Sequence, residues 1–284
     1  MTPLAQLSPE QIKRIKGVFT DVDDTLTTNG RLTSQALAAI EALLAAGLKV
    51  VPVTGGPAGW CDHMARAWAV DAVIGEGGAF YFYVDRPSGK LVKRFWYDDE
   101  TRHAKRQLME VARDSVLAEF PGVFLSSDQP YRELDLAIEL RNARGAPIPD
   151  PVRDDIIAVV KRRGMTAKVS SIHINAYFGE YDKLAMAKIM AKELWNEDLE
   201  ATRDEWLFIG DSVNDAGMFE FFPVSVGVAN VRHVLDKLPV APRYVTEAEG
   251  GAGFAEAALA LLAKSRADKA AAAAGKAARA KTAR

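Results

Sequence analysis

The chain has 284 residues, 49% hydrophobic and 26% charged, a balance ordinary for a globular protein long enough for two domains. Its formal net charge of -2 gives no global reason to expect nucleic acid or an anionic membrane as partner. The single cysteine, Cys61, excludes an internal disulfide and a multi-cysteine zinc site; with no apolar window approaching ~18 residues and no signal peptide, a cytoplasmic location is expected.

Ser8-Pro9-Glu10 reads as an N-cap, a first-turn proline and a first-turn acid, so a short helix runs to Lys16 and stops at Gly17. Val18 to Val22 is a short apolar run closed by carboxylates. A helical pattern follows from Thr33 to Ala46 with Gly47 as its stop, then a strand over Leu48 to Val53. Pro57 to Ala69 reads as helix and Ala72 to Ile74 as another buried strand, which predicts a parallel sheet with right-handed crossovers.

After Gly77-Gly78 the pattern becomes antiparallel. Ala79 to Val84 and Leu91 to Trp96 flank Asp85 to Lys90, the composition of a hairpin turn. Asp99 to Ala118 is helical, Glu133 to Leu140 alternates, Asp150-Pro151 opens a helix to Arg163, and Thr166 to Phe178 holds two short strands. From Lys183 the α/β pattern resumes: a helix to Trp195, strands over Trp206 to Ile209 and Val224 to Val228, a helix after Asp215, and a last helix from Gly253 to Ala263. The expected fold is therefore α/β: a doubly wound parallel-sheet core over 1–97 and 181–263, interrupted by an α+β insert over 98–180. Residues 264–284, nearly all alanine, lysine and arginine, have no apolar face to bury and read as a mobile basic tail. Met64, Trp68, Met186 and Met190 lie at helical spacing and read as core, Cys61 as structural, and Glu76-Gly77-Gly78 as a turn set by backbone geometry.

Three clusters carry chemistry. Asp21, Asp23 and Asp24 crowd a strand end, where open α/β sheets place their ligands, and a hard, oxygen-seeking cation such as Mg²⁺ is the simplest reason to tolerate them. Phe208 to Asp215 is a second apolar strand ending in two carboxylates, Asp211 and Asp215, so two acidic strand ends can share one cation. Val53-Thr54-Gly55-Gly56 ends a third strand with a hydroxyl and glycine amides suited to a phosphate oxygen, and Lys183 could hold phosphate and nucleophile together.

In this order, D-x-D-x-T at Asp21 to Thr25, T-G-G at Thr54 to Gly56, Lys183, and G-D-S-x-N-D at Gly210 to Asp215 resemble the haloacid dehalogenase superfamily. The match is to its Cof-like subgroup IIB, which carries a C2-type α/β cap on a Rossmann-like core and includes sugar phosphatases and phosphomannomutases. The resemblance covers about Val18 to Leu262. It implies that Asp21 attacks phosphorus to form an aspartyl-phosphate, and that Asp23 protonates the leaving alcohol and then activates water. It further implies that Asp21, Asp23 through its carbonyl, and Asp211 ligate Mg²⁺ with support from Asp215, while Thr54, Gly55, Lys183 and Asn214 hold the phosphate. Two positions depart from the pattern: Gly56 stands where many relatives have arginine, and Asp24 where glycine is common.

Within the insert, Leu134, Leu136, Ile138 and Leu140 share one strand face, as do Ile172, Ile174, Ala176 and Phe178. The opposite face carries Asp135, His173 and Asn175, which suit a hydroxyl-rich ligand. The expected activity is hydrolysis of a small sugar or polyol phosphate by a monomer or small homo-oligomer, with a small phosphorylated metabolite as partner and neither membrane nor nucleic acid expected. Alternatives are a phosphomutase of the phosphomannomutase type or a non-catalytic phosphosugar-binding protein; Asp23 argues against a dehalogenase.

Overall fold

The computed structural model describes residues 1–170 and 173–263. The tail expected over 264–284 lies outside the described residues, as do Ser171 and Ile172. The chain divides into two compact units: Met1–Val53 with Ala67–Ala72 and the chain from Met190 onward, and Thr54–Arg66 with Val73–Ile189. On this division 54–66, 73–97 and 181–189 group with the insert. Among the described residues no helix is long and apolar enough to cross a membrane.

The first unit is built on a six-stranded parallel sheet, in the order Thr2–Pro3, Tyr244–Val245, Val224–Gly227, Trp206–Gly210, Gly17–Thr20, Lys49–Pro52. Its central strands are buried throughout, as expected for parallel strands covered on both faces. Gly17–Thr20 lies between its sequence neighbour Lys49–Pro52 and the late strand Trp206–Gly210, so chain order reverses there. Such a switch point is where open α/β sheets leave a crevice at the strand carboxyl ends. Helix Pro9–Arg14 starts in a capping box between Ser8 and Gln11, and Ser34–Ala45 starts with Ala36 N donating to Thr33 Oγ1 at 3.2 Å. The last helix occupies 250–263 and so begins earlier than Gly253.

The core below the sheet is aromatic. Trp206 packs against Phe19 at 4.9 Å and Trp195 at 5.4 Å between ring centroids, and in register it faces Gly17. A Cβ on Gly17 would overlap the indole, so the smallest residue is paired across the ladder with the largest.

The second unit corrects one expectation. Val73–Gly75 is not a further parallel strand; it pairs antiparallel with Phe80–Asp85, which pairs antiparallel with Lys90–Phe95. The link Glu76 to Ala79 is far too short for the crossover a parallel pair needs. A second antiparallel sheet runs Thr166–Val169, His173–Tyr177, Asp135–Glu139. Its apolar face is covered as expected: Leu136, Ile138, Ile174, Ala176 and Phe178 share a core with Met109, Ala112 and Val116 of helix Asp99–Glu119 and Ile156, Val159 and Val160 of helix Asp150–Arg162. Met64, Met186, Met190 and Cys61 are buried, and Trp68 is half-buried.

The turn after Val73–Gly75 has the special backbone expected of it, with φ of 43° at Glu76, 65° at Gly77 and 115° at Gly78. Its side chain does more. Glu76 is 2% exposed and accepts from Ala58 N at 3.0 Å, Glu133 N at 2.8 Å and Leu134 N at 2.7 Å, tying the start of helix Ala58–Ala67 to the entry of strand Asp135–Glu139. Burial, reinforced by the Asp135 charge, pushes its pKa up to about 8, against the pull of the Glu133 and Leu134 amides and of Arg132.

Two measurements test this packing. Gly17→Ala should destabilise the chain by about 1–3 kcal/mol in denaturant titration, since the ring beside it has nowhere to move; an unchanged midpoint would show otherwise. A carboxyl whose pKa rises on folding contributes stability that is complete below its unfolded value, near 4.5, and is lost as pH climbs to about 8. Wild-type stability should therefore fall across that interval, and Glu76→Gln should flatten the slope; parallel pH profiles would refute the assignment.

Candidate active site

The carboxyl edge of the parallel sheet gathers three acids. Asp21 follows strand Gly17–Thr20, and its amide donates to Ile209 O at 2.8 Å, so the ladder carries it past the strand end. Asp211 follows strand Trp206–Gly210, and Asp215 ends the turn Val213–Asp215. Asp21, Asp211 and Asp215 each offer a carboxylate oxygen, and these atoms lie within 4.8 Å of one another. Asp21 is 4% exposed and Asp215 fully buried, so water does little to screen these two charges, while Asp211 is half-buried.

Local groups hold the cluster in shape. The Asp211 and Ser212 amides donate to Asp215 Oδ2 at 3.1 and 3.2 Å, folding that carboxylate back on its own strand. Gly210 makes room for it, because a Cβ there would lie 2.7 Å from Asp215 Cγ. Thr25 Oγ1 donates to Asp211 Oδ1 at 3.3 Å, and Asn230 Nδ2 donates to Asp211 Oδ2 at 2.8 Å and Asp24 O at 3.0 Å. Asp24 itself sits at φ 54°, the left-handed region that favours glycine. The donor set is oxygen only and anionic, which fits a hard divalent cation such as Mg²⁺ and does not fit a thiophilic metal. Asp23 and Asn214 are exposed; the Asp23 carboxylate is not one of the three, and Asn214 Oδ1 accepts from Ser212 Oγ at 3.0 Å.

The remaining candidates belong to the second unit. Thr54 is 1% exposed: its amide donates to Ile74 O at 2.9 Å, its carbonyl accepts from Gly77 N at 3.0 Å, and its Oγ1 accepts from Gly56 N at 2.8 Å. The T-G-G segment is thus a fixed turn. Lys183, at the first position of helix Lys183–Trp195, is only 5% exposed, which separates it from ordinary surface lysines.

The face carrying Asp135 and Asn175 is a packed polar network. Arg132 Nη1 donates to both Asp135 oxygens at 3.0 Å and to Gly55 O at 3.1 Å, while its Nε and Nη2 donate to Asp128 at 2.9 and 2.8 Å. Burial disfavours this guanidinium's charge, but Asp135 and Asp128 outweigh that and raise its pKa. Asn175 Nδ2 donates to Asp135 Oδ2 at 2.8 Å, and Gln129 braces the strand by donating to Asp135 O at 2.9 Å and accepting from Ala137 N at 2.8 Å. His173 lies further along, opposite Glu139, with Nε2 3.4 Å from Glu139 Oε1.

Sequence reasoning passed over Asn230, Arg132, Gln129 and the side chain of Glu76. Asn230 had a usable signal, since it follows the parallel strand Val224–Gly227 and so emerges along the same edge as Asp21 and Asp211.

No family model matches the chain. A phosphoglycolate phosphatase of Methanoculleus marisnigri is 29% identical over 249 residues, 86% of this chain and 95% of its own length. Among solved structures, the sucrose-phosphatase of Synechocystis, in complex with sucrose and phosphate, superposes with a TM-score of 0.59 at 16% identity over 86% of this chain and 97% of its own. A phosphatase of the haloalkanoate (HAD) enzyme superfamily from Bacteroides thetaiotaomicron gives 0.57 at 17% identity, over 92% and 98%. These identities speak for the fold. The chain shares the fold of these phosphatases, and along that fold its four motifs lie in the order that the resemblance to the haloacid dehalogenase superfamily rests on.

Proposed function

We propose that the chain is a Mg²⁺-dependent phosphomonoester hydrolase that works through a covalent intermediate on Asp21 and acts on a small sugar or polyol phosphate. The observation that carries the reading is the meeting of the Asp21, Asp211 and Asp215 oxygens within 4.8 Å at the switch point of the parallel sheet. Asp21, the Asp23 carbonyl and Asp211 would hold the ion, with Asp215 in support. Bound there, Mg²⁺ supplies the positive charge that lets an anionic nucleophile approach an anionic phosphate.

Asp21 attacks phosphorus as the bond to the ester oxygen breaks, and Asp23 passes its proton to that oxygen. Asp23, now a base, takes a proton from water; the water oxygen bonds to phosphorus, the bond to Asp21 breaks, and inorganic phosphate leaves. Thr54, Gly55, Lys183 and Asn214 bind the phosphoryl oxygens, which spread the growing negative charge. Asp135, His173 and Asn175 supply groups for the substrate's hydroxyls. Within the protein, Asp135 is buried beneath Arg132 and bonds Asn175, so a ligand would meet Asn175 in the orientation that Asp135 sets.

A second reading, hydrolysis of phosphoglycolate, has one observation in its favour: the name of the relative that is 29% identical over 86% of this chain. The phosphomutase alternative shares the covalent step and differs in the acceptor. Steady-state release of inorganic phosphate from a panel of sugar, polyol and two-carbon phosphate esters, with and without Mg²⁺, separates the three. Sustained release selects a hydrolase, and isomerisation without release selects a mutase.

Asp21→Asn should reduce turnover to below about 1% of wild type while the denaturation midpoint holds or rises, because an amide cannot attack phosphorus and the cluster loses one charge. Chelation should abolish activity and Mg²⁺ restore it; activity indifferent to chelation would end the metal assignment. Asn230→Ala should shift the Mg²⁺ concentration for half-maximal rate upward by about tenfold, since Asp211 loses the amide that orients it. An unchanged Mg²⁺ curve would make Asn230 a purely structural residue.

A further inference from the structure

Trp60 and Tyr131 leave large rings in water. Trp60 is 49% exposed and Tyr131 54%, and the two stack with centroids 5.5 Å apart and planes 25° from parallel. Their apolar faces are not spent on the core, where Trp206, Phe80 and Phe82 are fully covered. Apolar surface left clustered and exposed in this way marks a place where something binds.

The pair is also built. A Cβ on Gly59 would lie 2.9 Å from Tyr131 Cβ and 3.1 Å from Cδ1, so a glycine stands in the first turn of helix Ala58–Ala67 where it admits the tyrosine. A Cβ on Gly56 would lie 3.8 Å from Trp60 Cδ1 and 3.1 Å from Thr54 Oγ1, which puts the indole about one side chain away from that hydroxyl. Tyr131 ends the short turn Gln129–Tyr131, which Gln129 anchors to strand Asp135–Glu139, and the next residue, Arg132, donates to Gly55 O. The ledge and the T-G-G turn are therefore held by one set of bonds, and rigid rings lose little freedom when they are covered.

We infer that Trp60 and Tyr131 form an aromatic ledge that receives the sugar ring of a pyranose or furanose phosphate, the C–H face of the ring lying on the outer aromatic face that their mutual stacking leaves uncovered. The inference rests on the proposed reading of Thr54 and Gly55 as phosphate ligands, because distance from that turn selects the occupant. Thr54 Oγ1 and Trp60 Cδ1 both lie within 4 Å of the point that a Gly56 Cβ would occupy, so an ester anchored at the turn carries its ring, one carbon beyond the ester oxygen in a 5- or 6-phosphate, toward the ledge. Phosphoglycolate, two carbons and a carboxylate, has no ring to lay on it. A ring also presents its hydroxyls at its edge, where hydrogen-bonding side chains can meet them while the face is stacked.

The test compares wild type with Trp60→Ala, Tyr131→Ala and Trp60→Phe, on glucose 6-phosphate and ribose 5-phosphate against phosphoglycolate, at saturating Mg²⁺. Each alanine variant should lose about five- to twentyfold in kcat/KM on the sugar phosphates, mostly through KM, and less than about twofold on phosphoglycolate; Trp60→Phe should recover most of the loss. Both sites are exposed, so denaturation midpoints should not move. Equal losses on all three esters, no loss on the sugars, or turnover of phosphoglycolate alone would overturn the ledge. A binding measurement separates this from the function itself. In an Asp21→Asn background, calorimetric titration with glucose 6-phosphate should show about tenfold weaker binding when Trp60→Ala is added. Were no ester hydrolysed by wild type, that weakening would uphold the ledge while the phosphatase reading fell; identical affinities would remove the ledge whatever the enzyme hydrolyses.

Discussion

Like charges crowded away from water are the constraint around which the first unit is arranged. Asp21, Asp211 and Asp215 come from neighbouring parallel strands whose carboxyl ends must lie side by side, so the sheet itself forces their carboxylates together. At 4.8 Å or less, poorly screened, each pair repels by several times what it would in water. Backbone amides at Asp215 and the Thr25 and Asn230 side chains at Asp211 spread part of that charge. An all-oxygen, anionic cluster held in this shape suits a hard divalent cation better than an isolated acidic loop would.

The second unit treats charge in the opposite way. Arg132 is enclosed by Asp128 and Asp135 and finishes its bonding on Gly55 O, so its positive charge is matched where it stands. Replacing such a buried set with apolar side chains is often no loss in stability; its return is a defined geometry. Here the geometry concerns two segments far apart in sequence. Arg132 grips the T-G-G turn at Gly55 and Glu76 grips the helix start at Ala58, and both reach the entry of the strand that carries Asp135. The turn proposed to hold phosphate and the strand proposed to meet the substrate's hydroxyls are therefore set by one network inside one unit.

Much of this was legible in the sequence because it depends on short stretches of chain. Apolar runs ending in carboxylates became the strands behind Asp21 and Asp211, and Thr33 and Gly47 bracket helix Ser34–Ala45. The alternation in Glu133 to Leu140 and in Ile174 to Phe178 located the apolar face that the helices cover. What was not legible depends on placement across the chain. The run at Val73–Gly75 has the composition of a buried parallel strand, and only the shortness of the next link makes it antiparallel. Asp135 sits on the polar side of its alternation yet is 2% exposed, because an arginine three residues earlier folds over it. Asn230 is one asparagine among ordinary residues until the order of strands is known.

The interleaving of the two units also has a consequence in time. Strand Gly17–Thr20 leaves the ribosome early, while its inner partner Trp206–Gly210 follows only after the whole of the second unit. At translation rates of about 5 to 20 residues per second, that partner arrives roughly ten to forty seconds later. Until then one side of Gly17–Thr20 is an open edge able to pair with whatever strand comes near. The second unit, nearly continuous in sequence, can complete its hairpins and its buried network during the wait. Asp21 then meets Asp211 and Asp215 last, so a chain stalled before Trp206 would carry a finished second unit and a half-built parallel sheet.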